Sequence, residues 1–187
     1  ELRDSTCIMD FAETLSTFVV LFKESGLGFS DLREKAQAHE KDASRLGLVL
    51  DLAEPIVKGY QAELDKNGQI DFADMIRRAT SHIESGAFES PYAHIMVDEF
   101  QDISSTRAHL VSALLRQRRD AILFVVGDDW QSIYRFAGSN IAYTRDFSVH
   151  FGPTAQKAND LTVRLNDHIG KETSKFILLN QKKKKKE

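Results

Sequence analysis

The sequence has 187 residues, 42% hydrophobic and 28% charged, enough for one sizeable core and a smaller appendage. A lone cysteine, Cys7, excludes a disulfide framework and a cysteine-based zinc site, and no apolar run approaches the roughly eighteen residues of a membrane span. With 25 Lys and Arg against 28 Asp and Glu, no global basic charge advertises nucleic acid.

Setting aside the five lysines and Glu187 at the end leaves 20 basic against 27 acidic residues, a net charge of −7, so the run at 182–186 hides an acidic body. That run reads as a solvated tail and is given no role. The start, Glu1-Leu2-Arg3, has no initiator methionine and no signal-peptide pattern, and reads as a fragment or processed chain of the cytoplasm.

Ile8, Phe11, Leu15, Phe18, Val19 and Phe22 fall at helical spacing, and Gly26 follows as a stop. Ser30 and Asp31 open a short second helix. Residues 43–64 carry a longer helical pattern that Pro55 is expected to break or kink. Its stripe of Leu46, Val49, Leu50, Leu52, Ile56 and Val57 reads as core rather than as partner-binding surface. Asn67-Gly68 is a turn signal, Asp71 a plausible cap for the next helix, and 86–91 a loop.

Next come two short apolar runs. The first, Ile95-Met96-Val97, ends in Asp98-Glu99-Phe100-Gln101-Asp102; the second, 121–126, ends in Gly127-Asp128-Asp129-Trp130-Gln131-Ser132-Ile133-Tyr134-Arg135-Phe136. Between them, 104–117 reads as a crossover helix, capped by Ser104 or Ser105, with Leu110, Val111, Leu114 and Leu115 on its apolar face. The pattern is a βαβ unit whose parallel strands both deliver carboxylates at their carboxyl ends. Such ends support phosphate chemistry. An aspartate there can hold Mg²⁺ through water, an adjacent glutamate can orient or deprotonate a water, and a neutral glutamine can sense a phosphate. An acidic pair taken alone is more often a solvated strand end or a helix cap.

Ser139-Asn140 can cap a helix over 141–147, residues 160–164 read as extended, and 166–179 as a final helix. None of the six histidines pairs at metal-ligand spacing, so His94 and His109 read as packing or surface residues.

The two acidic segments at this spacing resemble motif II, the Walker B element, and motif III of superfamily 1 DNA helicases of the UvrD/Rep type. Trp130 before Gln131, with Tyr134-Arg135-Phe136 following, is most similar to the helicase IV branch. The Asp71-Phe72 segment resembles the lead-in to motif II, and Leu161 to Asn166 resembles motif IV more loosely, with Val163 where an aromatic usually stands. The resemblance covers about residues 67 to 180. It implies an α/β fold: a partial RecA-like parallel sheet of the P-loop NTPase type with a largely helical amino-terminal part. Residues 1–66 would correspond to the inserted accessory subdomain, 67–152 to the rest of the first motor lobe, 153–181 to the start of the second, and 182–187 to the tail.

By the same resemblance the function is ATP-dependent 3′ to 5′ DNA unwinding or translocation, with ATP and Mg²⁺ as cofactors. Asp98 would coordinate Mg²⁺, Glu99 activate water and Gln131 couple phosphate state to motion. Gln101 and Asp102 would link the lobes, and Arg164 would reach the nucleotide unless it is a surface arginine. Tyr134 and Phe136 would face single-stranded DNA or else pack the loop, with Arg135 as a phosphate contact because Ala137 replaces the family's usual arginine. Trp130 reads as a packing anchor. No Gly-x-x-x-x-Gly-Lys-Ser/Thr occurs, and Gly170-Lys171-Glu172-Thr173 lacks the upstream glycine. The chain alone is therefore expected to be inactive, within a parent that acts at single strands and duplex junctions in the nucleoid. A non-catalytic DNA-binding or protein-interaction module is the alternative. The helical start offers no strand, so two or three parallel strands are expected, with Asp98 and Gln131 side by side. Their edges would be covered by helices or would self-associate.

Overall fold

The computed structural model describes residues 5–39, 41–158 and 168–175. The chain divides into two units, residues 1–152 and 153–187. In the second, residues 168–175 are helical, inside the helix expected there; the extended stretch at 160–164, with Arg164, lies outside the described residues.

The first unit opens with four helices: α1 (Ser5–Ser25), α2 (Phe29–Gln37), α3 (Ala43–Lys66) and α4 (Phe72–Glu84). Gly26 ends α1 with φ +70, a conformation that costs glycine nothing. At α2 the expected opening by Ser30 and Asp31 lies slightly inside: Gly28 is the N-cap, and its N–H donates to the Asp31 carboxylate at 2.7 Å. Asp71 caps α4 as expected, accepting from the Asp74 N–H at 2.8 Å.

Two expectations for α3 need correction. The helix runs through Pro55 without interruption. Pro55 and Asp51 both lie on the exposed side, where water can take the Asp51 carbonyl that proline leaves without a donor. Its apolar stripe is only partly core: Leu50 and Val57 are buried and Leu46 and Ile56 half-buried, whereas Val49 and Leu52 face outward. The helix packs through one face, on α2 and α1.

Strand β1 (His94–Val97) and strand β2 (Ile122–Val125) pair in parallel, His94 opposite Ile122 and Val97 opposite Val125, and α5 (Ser105–Gln117) crosses between them. Ser104 caps α5 through the Arg107 N–H. This is the expected βαβ unit, and the sheet holds two strands among the described residues. One face of the sheet, Ile95, Val97, Leu123 and Val125, packs on a core of Phe100, Ile103, Ala108, Val111 and Phe147. The opposite face leaves Met96, Ile122 and Phe124 exposed. The helix expected over 141–147 is two short ones, α6 (Ala142–Arg145) and α7 (Phe147–Phe151), broken at Asp146. The break sets Phe147 and Phe151 edge-on against Phe100, at 5.4 and 5.7 Å between ring centres. Among the described residues no helix is long and apolar enough to cross a membrane.

Candidate functional site

Parallel pairing puts the carboxyl ends of both strands on one rim, and the backbone there shows how. The Val126 N–H donates to the Val97 carbonyl at 3.0 Å, and the Phe100 N–H donates to the Val126 carbonyl at 2.9 Å. Between those bonds Asp98 and Glu99 bow out of the ladder, and both are exposed. Glu99 adopts φ 49, ψ 43, the one non-glycine residue with positive φ among the described residues. A left-handed glutamate costs on the order of 1 to 2 kcal/mol, strain of the kind that persists where surrounding structure enforces it.

Phe100 supplies the enforcement. It is 1% exposed, and burying such a ring contributes about 1.5 to 3 kcal/mol, enough to hold the tight turn Phe100–Asp102 against the core. Gln101 is buried beside it and ties the two rim segments together. Its Nε2 donates to Glu99 Oε2 at 2.8 Å, its Oε1 accepts from the Asp128 N–H at 3.0 Å, and its carbonyl accepts from Ser132 Oγ at 3.3 Å. Asp102 sits next to it with one carboxylate oxygen buried and without a hydrogen-bond partner among the described residues.

On the second segment Asp128 does two jobs. One oxygen accepts from the Trp130 N–H at 3.0 Å, closing the turn Asp129–Gln131, and the other accepts from Gln131 Nε2 at 2.8 Å. The Gln131 side chain is thereby aimed while staying exposed. Asp98 accepts from the Glu99 N–H at 2.9 Å through one oxygen, leaving the other for a further partner. Among the described residues no three carboxylates or histidines gather into a metal cage.

Beyond Gln131 the chain forms the turn Tyr134–Ala137, ended by Gly138 at φ +93. Tyr134 and Phe136 are 48% and 71% exposed with ring centres 5.9 Å apart, so they do not pack beneath the sheet edge. Arg135 is exposed between them, and Trp130 is 45% exposed. A cleft of about 440 Å³ between α4 and α5, lined by Arg77, Thr80, His109 and Arg116 among others, includes none of these residues, and Asp98, Glu99 and Gln131 are exposed.

Two charged residues of α1 that bear on this arrangement stand outside every motif of the sequence. Lys23 and Glu24, on α1, are buried. Lys23 Nζ reaches Asp71 at 2.6 Å, Asp74 at 2.8 Å and Gln61 at 2.8 Å. Its position continues the stripe Leu15, Val19 at four-residue spacing, the signal that could have marked it as inward-facing.

Residues 7–152 match the family model described as the UvrD/REP helicase N-terminal domain. DNA helicase IV of Escherichia coli (strain K12) is 40% identical over 145 residues, covering 78% of this chain and 21% of that protein. The ATP-dependent DNA helicase UvrD2 of Mycobacterium tuberculosis (strain ATCC 25618 / H37Rv) is 36% identical over 91 residues, 46% of this chain and 13% of that protein. DNA helicase II of Haemophilus influenzae (strain ATCC 51907 / DSM 11121 / KW20 / Rd) is 26% identical over 168 residues, 80% of this chain and 22% of that protein. The chain thus spans about a fifth or less of the length of these relatives. With most of its length inside the matched region, the chain belongs to the UvrD/REP helicase N-terminal domain family.

Proposed function

We propose that the chain is part of an ATP-driven 3′ to 5′ DNA helicase or translocase, and that it carries the Walker B half of the ATP site together with the segment that couples nucleotide state to DNA. The observation that carries this reading is the buried Gln101 amide, which joins the loop of Asp98 and Glu99 to the loop of Asp128 and Gln131. A solvated strand end would have no use for such a link.

In this reading Glu99, its carboxylate held by Gln101, orients the attacking water and accepts its proton. Gln131, held by Asp128, contacts the terminal phosphate and reports its presence through the turn to Tyr134 and Phe136. Asp98 would hold Mg²⁺; one carboxylate completed by waters and nucleotide phosphates suits that ion. Bound with ATP, Mg²⁺ would supply charge neutralisation at the phosphates. The unpartnered oxygen of Asp102 suits a link to the second motor lobe, and Arg164 would approach the nucleotide from that lobe.

Exposed Tyr134 and Phe136 suit stacking on bases of single-stranded DNA, worth about 1 to 3 kcal/mol per base, with Arg135 at a phosphate. Residues 1–66 would be the accessory subdomain, 67–152 the rest of a first RecA-like lobe and 153–181 the start of the second. The parent would act in the cytoplasm on single strands and duplex junctions. A non-catalytic module that keeps this scaffold is the second reading.

Glu99→Gln in the complete protein separates the two. It keeps an acceptor for Gln101, so ATP binding should persist while single-strand-stimulated hydrolysis falls by about 10² or more. Undiminished turnover would remove Glu99 from the mechanism, and a parent without turnover would favour the module.

A further inference from the structure

The exposed aromatic turn rests on α1, more than a hundred residues earlier in the chain. Gly138 closes the turn so near that helix that a Cβ on it would lie 3.1 Å from Glu24 Cβ and 3.9 Å from Leu21 Cδ2. Glu24 is itself 6% exposed, an unusual place for a carboxylate on a helix that shows apolar side chains to solvent elsewhere. Its Oε2 accepts from Thr106 Oγ1 at 2.8 Å, and Arg107 Nη2 lies 3.8 Å from its Oε1.

The hydroxyl contacts run in one direction. The Arg107 N–H donates to Ser104 Oγ at 3.4 Å, and Ser104 Oγ lies 3.0 Å from Thr106 Oγ1, whose own proton goes to Glu24. Ser104 is fully buried and forms an antiparallel bridge with Ser139, the residue after Gly138, while the Asn140 N–H donates to the Ile103 carbonyl at 2.9 Å. A closed circuit results: Glu24 to Thr106, Thr106 to Ser104, Ser104 across to Ser139, and Gly138 back onto Glu24. The turn is clamped at its carboxyl end by α1 and by the cap of α5 together.

We infer that Glu24 is a positioning residue for the turn Tyr134–Ala137, acting through Thr106 and the Gly138 seat, so that the setting of α1 governs how Tyr134 and Phe136 are presented to single-stranded DNA. This rests on the assignment of that turn to DNA made above. Lys23, one residue earlier, fastens the same helical turn of α1 to Asp71 and Asp74, so that a shift of α1 against α4 is carried to the aromatic turn.

The test uses the complete helicase, with binding of a fluorescent oligo-dT and stimulation of ATP hydrolysis by that oligonucleotide as readouts. Glu24→Ala is expected to raise both the dissociation constant and the half-stimulating DNA concentration about 5-fold, the effect of one hydrogen bond, with maximal turnover within about 2-fold. Glu24→Gln keeps an acceptor for Thr106 and should return both values to within about 2-fold of the unmodified protein. Thr106→Val should reproduce Glu24→Ala, and the double variant should add nothing further. Unchanged DNA affinity in Glu24→Ala and Thr106→Val, alongside weakened affinity in Phe136→Ala, overturns the positioning role alone. Unchanged affinity in Phe136→Ala and Tyr134→Ala as well overturns the DNA assignment beneath it. If Glu24→Gln loses thermal stability, affinity and turnover together, the carboxylate is merely structural and the inference falls.

Discussion

Gly127 shows how narrow the tolerances of the rim are. A Cβ there would lie 2.8 Å from Gln101 Oε1 and 3.2 Å from the backbone nitrogens of Phe100 and Gln101. The amide cannot swing away without giving up Glu99 or Asp128, and the backbone nitrogens cannot move without breaking the bond from Phe100 to Val126. Gly127→Ala is therefore expected to cost about 1 to 3 kcal/mol of stability in urea denaturation, as overpacking does. A loss under about 0.5 kcal/mol would mean that the two segments are joined loosely, since surface substitutions commonly fall in that range. The place of Asp98, Glu99 and Gln131 at the strand ends was legible in the sequence, because each follows closely on a short apolar run. The work of Gln101 and Gly127 was not, since it consists of distances between segments some twenty-five residues apart.

At the scale of elements, β1, β2, α5 and α4 were legible because each carries a local signal: a short apolar run, a serine cap, an aspartate cap. What periodicity could not give is which face finds a neighbour, as the outward-facing Val49 and Leu52 of α3 show. Lys23 belongs to the same class, for its burial depends on Asp71 and Asp74 arriving from α4 and its cap. Burial by itself pushes the Asp74 carboxyl up, but the hydrogen bond and charge of Lys23, the Gln61 amide and the charge of Arg77 outweigh it, and the group is held below its ordinary value of 3.8. A carboxylate depressed in the folded state contributes stability that is present above its unfolded pKa and is lost as pH falls through the folded one. Asp74→Asn should thus cost about 1.5 to 3 kcal/mol at pH 7, the worth of hydrogen bonds to a charged group. The difference should shrink as pH drops below about 4, near the ordinary carboxyl value. A difference that stays constant from pH 7 to pH 3 would assign the loss to shape rather than to charge.

At the scale of the whole chain, the described residues form a two-stranded sheet with one bare face, and its rim carries the groups that in the proposed function would act on a phosphate. Glu99 can orient a water, yet the advantage of an oriented reactant exists only while its partner is fixed within about 3.5 Å, and a triphosphate is fixed in such enzymes mainly by a backbone N–H cradle and its lysine. Neither occurs in these 187 residues as a Gly-x-x-x-x-Gly-Lys-Ser/Thr segment. The isolated chain should therefore release phosphate from ATP no faster than its own Glu99→Gln variant, with or without oligo-dT. Trp130, the one tryptophan, sits on the second rim segment and gives an independent signal in the same preparation, because its emission should respond to oligo-dT if the neighbouring turn still meets DNA. Phosphate release above that of the variant would show that the rim of Asp98 and Glu99 binds and turns over nucleotide unaided, and the proposed division of an ATP site into separable halves would have to be given up.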